Sequence, residues 1–379
     1  MNSNIDFADI AYYADNEIPA VMQRLVNDEG FMGMATKLFA PVEREAIVAL
    51  LTSLTTAYDF KFQAVYPFFQ KIVATTTDGF SVSGFNYLDK PGLIISNHRD
   101  IVMDPSFVNL ALMQERRDPS TIAIGDNLLS LPWVKEVVRT CGAFIVKRQE
   151  KNASAYAQLS AYIQKVINAD SRFVWIAQRE GRAKDSNDQT QESILKMFTF
   201  SGEGSFVQKL QRLNLIPTTL SYEYDPCDYL KATELVRRRH QVDYKKAPGE
   251  DVFSMRTGIM GKKGRVHVNY AEPINAKLLE IEQRITRRNE QVEAVKQLID
   301  REIFLGYHFF PINYVAYDLR FNTNEFAGRY TNEEKAAALQ YLESRMALSN
   351  LEPEFRSELR DNLLTIYSNT LVNYLNATK

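Results

Sequence analysis

The residues in this 379-residue chain whose types and spacing could do chemistry cluster first at Leu93–Asp104, which reads L-I-I-S-N-H-R-D-I-V-M-D. Histidine is the side chain best suited to take a proton near neutral pH, and a carboxylate bonded to its second ring nitrogen fixes the tautomer. His98 has two such carboxylates within reach, Asp100 and Asp104. The apolar run Leu93-Ile94-Ile95 predicts a buried strand, which would deliver His98 to the carboxyl end of a sheet, where α/β proteins keep their sites. The plain structural alternative is a histidine at the start of the helix that opens near Asp104.

Cations follow at comparable positions. Gly142–Arg148 (G-A-F-I-V-K-R) places Lys147 and Arg148 at a strand end. The strand pattern Arg172–Ile176 leads into Ala-Gln-Arg-Glu-Gly-Arg-Ala-Lys, with Glu180, Gly181, Arg182 and Lys184 in a loop. Leu215-Ile-Pro-Thr218 is a further strand around Pro217. Strands that run parallel send these loops to one edge, so a histidine base and several cations would converge there. Such a set suits an alcohol that carries a phosphate: His98 takes the hydroxyl proton while Arg148, Arg182, Lys184 or Lys147 hold the phosphate.

The elements that must position these groups are legible as patterns. Residues 1–78 read as helices, with apolar residues at helical spacing through Ile18, Val21, Met22 and Leu25 and again through Ile47, Leu50 and Leu51. Phe31, Met32, Met34, Leu38 and Phe39 form a stripe that is either core or a membrane-facing surface. From Phe80 strand and helix patterns alternate, predicting a mostly parallel or mixed sheet covered by helices over residues 79–275. Within that region Asp228–Gly264 reads as basic and irregular: a solvated helical face, or a platform for anionic lipid headgroups or a phosphorylated acyl carrier. Residues 276–379 read as helical, without an interpretable motif.

Composition narrows the classes. A formal charge of −2 gives no global bias toward nucleic acid. Two cysteines, Cys141 and Cys227, define no disulfide framework and fit a reducing compartment. No apolar run approaches the roughly 20 residues a bilayer span needs, so any membrane contact is expected to be peripheral. Neither a G-x-S-x-G elbow nor a G-x-x-x-x-G-K-[ST] loop occurs, and four scattered histidines make a metal site unexpected.

The four segments at His98, Gly142–Arg148, Glu180–Arg182 and Ile216-Pro217 resemble, in sequence order, the four motif blocks of the glycerolipid acyltransferases. These are the glycerol-3-phosphate and 1-acylglycerol-3-phosphate acyltransferases, and the resemblance spans residues 90–225. Two departures stand out: five residues rather than four separate His98 from Asp104, and E-G-R-A-K replaces the family's E-G-x-R-S. The resemblance implies that family's α/β fold with helical additions at both ends. It implies acyl transfer from acyl-coenzyme A or acyl carrier protein to glycerol-3-phosphate or 1-acylglycerol-3-phosphate, with His98 as base oriented by Asp104 or Asp100. Glu180, Gly181 and Pro217 would shape the acceptor pocket. No cofactor beyond the acyl donor is expected, and the protein would sit in the cytoplasm against the inner face of the membrane. A non-catalytic lipid- or carrier-binding protein on the same fold, or transfer to another lipid acceptor, is the competing reading.

Overall fold

A computed structural model describes residues 5–129, 131–150 and 152–379. Seven strands form one mixed sheet in the order β1-β7-β6-β2-β5-β3-β4. They are β1 (Thr77–Ser83), β2 (Leu93–Ser96), β3 (Thr121–Gly125), β4 (Ala143–Val146), β5 (Val174–Ala177), β6 (Ile216–Tyr222) and β7 (Gly264–Tyr270). Strands β6, β2, β5, β3 and β4 run parallel; β7 lies antiparallel to β6 and carries β1 parallel to itself.

Strand β2 is central because its residues are apolar on both faces. Leu93 and Ile95 pack with Tyr162, Ile163 and Val174 in one core, whereas Ile94 packs with Phe107, Val108 and Trp175 in the other. This is the period-2 alternation of a strand covered on both sides. Full burial of each such side chain contributes about 1.5–3 kcal/mol.

Before the sheet come α1 (Ile18–Val26), α2 (Glu29–Leu38), α3 (Arg44–Ser53), the short α4 (Ala57–Phe60) and α5 (Tyr66–Thr76). Between the strands lie α6 (Met103–Gln114), α7 (Pro132–Thr140), α8 (Ala153–Asn168), α9 (Glu192–Thr199) and α10 (Phe206–Gln211). Helix α8 starts where Asn152 accepts from the Ala155 amide at 2.9 Å, an N-cap satisfied by the side chain. The stretch expected to be irregular holds two helices, α11 (Asp228–His240) and α12 (Glu250–Met260), separated by Pro248-Gly249. Its many charges obscured the buried positions Ala232, Val236, Ser254 and Gly258. The C-terminal part comprises α13 (Asn275–Arg284), α14 (Arg288–Leu305), α15 (Pro311–Phe321), α16 (Asn332–Met346) and α17 (Arg356–Ala377). Among the described residues no helix is long and apolar enough to cross a membrane.

Much of the basic run is paired: Arg238 with Glu234, Arg239 and His240 with Glu358, Lys246 with Asp251, and Lys262 with Asp78. Those cations face carboxylates of the same surface, so the run is less of a bare positive platform than its sequence suggests.

Candidate active site

Strand β2 ends at Ser96, and the chain is then held by side chains. Asn97 bridges to β6, donating to the Leu220 carbonyl at 2.9 Å and accepting from the Leu220 amide at 2.8 Å. It thereby continues the ladder by one step after the backbone has left it. The Trp175 indole donates to Ser96 Oγ at 3.1 Å and sets its ring edge-on to His98, with centroids 5.9 Å apart.

His98 Nδ1 lies 2.8 Å from Oδ2 of Asp104, and the imidazole is 13% exposed beside a fully buried carboxylate. The same oxygen accepts from the Arg99 amide at 2.6 Å and the Asp100 amide at 2.9 Å. Its companion Oδ1 accepts from the Tyr222 hydroxyl at 2.7 Å. Four donors thus hold one buried carboxylate, which keeps a charge tolerable away from water. Asp100 does not reach His98. Its Oδ1 accepts from the Val102 and Met103 amides at 2.9 and 2.8 Å, capping α6. Burial and the neighbouring Asp104 charge push its carboxyl above the ordinary range. Of the two candidate partners, Asp104 makes the contact, and the start of α6 between them explains why the longer spacing still works.

The loop after His98 is clamped by residues distant from it in the chain. The Arg99 guanidinium sits 3.0 Å from Asp188 and donates to the Tyr307 hydroxyl at 3.1 Å, while the Arg99 carbonyl accepts from Lys231 at 2.7 Å. Lys231 is itself paired with Asp225. Nothing local in the sequence connects position 99 with 188, 231 or 307; only the tertiary fold does.

His98 lines a largely apolar cavity of about 820 Å³ that runs beneath the N-terminal helices, with walls including Phe31, Leu38, Phe39, Phe68, Trp133 and Ile259. The stripe on α2 read as core or membrane surface is therefore divided: Phe31 and Met32 are buried, and Phe31, Met34, Leu38 and Phe39 form cavity wall. Cys141 also lines it, but burial pushes its thiol up to about 12, so it is no thiolate nucleophile.

The expected convergence of cations is only partly found. Arg148 lines the cavity, 4.0 Å from Glu180, and Gly181 lies in the same wall. Lys147 reaches the cavity wall but is tied to Asp9 at 2.6 Å and Glu150 at 3.3 Å, because adjacent residues leaving a strand point in opposite directions. Beyond Gly181, whose φ of +70° turns the chain, Arg182 and Lys184 are carried away from the cavity. Lys184 pairs with Glu234 at 2.8 Å; burial and the nearby Arg182 bring its ammonium down to about 8. Arg182 is buried, and although burial opposes its charge, Cys227, Asp100 and Asp225 keep its pKa above the usual value. Pro217 lies within β6, in register with Ile95, and is not among the residues lining this cavity. Instead Arg179 lines the cavity, with its Nε buried and unbonded among the described residues. Arg179 stands directly before the Glu180-Gly181-Arg182 match, outside the motif that marks this loop.

No group of histidine, cysteine or carboxylate side chains among the described residues is arranged to hold a metal ion.

Residues 79–213, which hold most of β1, all of β2–β5, His98, Asp104, Arg148 and Glu180, match the family model described as Acyltransferase. Over this part the chain is similar to the acyltransferases that this family model describes. The four motif segments run from inside that part to β6, just beyond its end. Among solved structures, the crystal structure of the 1-acyl-sn-glycerophosphate (LPA) acyltransferase PlsC from Thermotoga maritima matches with a TM-score of 0.36 at 10% identity. That likeness covers 76% of this chain and 93% of the other. No curated protein matches the chain.

Proposed function

We propose that the protein transfers a fatty acyl group from a thioester of coenzyme A or acyl carrier protein to a hydroxyl of glycerol-3-phosphate or 1-acylglycerol-3-phosphate. The observation that carries this reading is the His98–Asp104 pair, set within the acyltransferase match at the wall of a cavity large and apolar enough for an acyl chain.

With Nδ1 committed to Asp104, Nε2 is the nitrogen left to face a substrate. It takes the proton of the acceptor hydroxyl as that oxygen attacks the thioester carbonyl. The carbon–sulfur bond then breaks, the ester remains, and the departing thiolate takes the proton from the imidazolium. Asp104 stabilises that transient cation, and the neutral Cys141 thiol offers no covalent route. Arg148 and Arg179, on the same wall as His98, are the groups to receive the acceptor phosphate. The acceptor and the acyl chain are amphiphiles, so we place the protein peripherally on the inner face of the membrane.

The test is transfer of labelled palmitate from coenzyme A or carrier-protein thioester to each acceptor. His98→Ala should lower turnover on the order of 10²- to 10⁴-fold, as loss of a general base does. Undiminished transfer by His98→Ala, or no transfer with any donor and acceptor pair, would reject the reading.

A further inference from the structure

We propose that Tyr222 is a positioning residue for His98, acting through Asp104. This rests on the acyl-transfer reading for its kinetic consequence, but not for its spectroscopic one. Oδ2 of Asp104 takes three donors, namely His98, Arg99 N and Asp100 N, whereas Oδ1 takes the Tyr222 hydroxyl. A carboxylate can turn about its last torsion and exchange its oxygens. The Tyr222 bond opposes that turn, so the oxygen facing the imidazole stays fixed.

The bond also sets how much negative charge the imidazole feels. A donor on Oδ1 spreads the carboxylate charge and weakens its pull on a cationic His98. Burial, and after it the carboxylates of Asp104 and Asp100, raise the Tyr222 phenol well above its ordinary pKa, so it remains a donor throughout the working range. The other ionisable groups around the pair include Arg99, Asp100, Arg182, Asp188, Asp225, Cys227, Lys231, Lys263 and Tyr307, with Arg148, Arg179 and Glu180 on the cavity wall that His98 shares. Tyr222→Phe changes none of them. The ring itself packs edge-on against Phe107 at 5.7 Å, a contact phenylalanine retains.

Four measurements on this chain separate positioning from packing. In Tyr222→Phe, kcat should fall about tenfold to a hundredfold, the worth of one hydrogen bond to a charged group. KM for donor and acceptor should stay within about twofold. The acidic limb of the kcat/KM profile should move up by about half a pH unit or more, since Asp104 then draws the imidazole proton more strongly. By nuclear magnetic resonance the His98 imidazole should titrate higher by the same amount, a readout independent of turnover. In an Asp104→Asn background, Tyr222→Phe should add almost nothing. An unmoved His98 titration in folded Tyr222→Phe would overturn the proposal, as would an undiminished effect on turnover in the Asp104→Asn background. If no acyl transfer is found with wild-type protein, the His98 titration still decides this point alone.

Discussion

At the scale of single residues, the site divides ions by what faces them. Arg148 and Arg179 border the cavity, whereas Lys184 is occupied by Glu234. Replacing Arg148 or Arg179 by alanine should therefore raise KM for a phosphate-bearing acceptor, by about ten- to a hundredfold if one charge-assisted contact is lost. Lys184→Met should leave that KM unchanged and instead lower the unfolding midpoint, because Glu234 then keeps only the exposed Arg238. Steady-state kinetics and a urea titration of the three variants distinguish the two effects. The His98–Asp104 contact was within reach of sequence reasoning because both residues lie on one short segment. The choice between Asp100 and Asp104 was not, since it depends on which carboxylate caps α6. Tyr222 was further still from view: it meets Asp104 across 118 residues of chain.

At the scale of elements, the short runs that carry their own signals were readable. Strand β4 lies inside Gly142–Arg148, where a four-residue apolar run marks the strand that ends before Lys147 and Arg148. Helix α12 carries no such signal, yet it lies directly on the loop that holds Asp100. A Cβ added to Gly258 would stand 1.9 Å from Asp100 Oδ2, so the two elements touch at a point where only glycine fits. Gly258→Val should force α12 outward, costing about 1–3 kcal/mol of stability. It should also depress turnover more than substrate binding, because the displaced Asp100 caps the helix that bears Asp104. Chemical denaturation together with kcat and KM for this variant tests the linkage; an unchanged denaturation midpoint would show that α12 yields without strain.

At the scale of the whole molecule, the sheet order could not be read in advance. Local pattern says that β7 is a strand; it does not say that β7 inserts between β1 and β6 and reverses direction there. The C-terminal helices likewise carry no motif, yet α14 closes over the loop after β5. Its Asp300 accepts from the amide and hydroxyl of Thr190 at 2.7 and 2.6 Å. Burial raises the Asp300 carboxyl to about 6 against an ordinary 3.8, even with Thr190 donating to it. A folded-state pKa raised in this way means that the folded chain holds a proton which the unfolded chain releases. The associated stability is full below about pH 4 and is lost as pH rises through 6, amounting to about 2–3 kcal/mol. Asp300→Asn keeps the acceptor for Thr190 and removes the ionisation. It should flatten the stability profile between pH 4 and 6 and raise the melting temperature at pH 7. Calorimetry of both proteins across that range checks it, and parallel profiles would refute it.

The clamp on the segment after His98 also has a consequence in time. Tyr222, Lys231 and Tyr307 all follow the acyltransferase match in the chain, and Tyr307 comes near the start of its last stretch of helices. During synthesis the ribosome releases the histidine and its aspartate long before it releases the three side chains that hold them. A nascent chain halted just after Pro217 would carry every motif residue and still lack Tyr222, Lys231 and Tyr307. The fixed geometry of the His98–Asp104 pair thus arrives late in translation, well after the pair itself has been made.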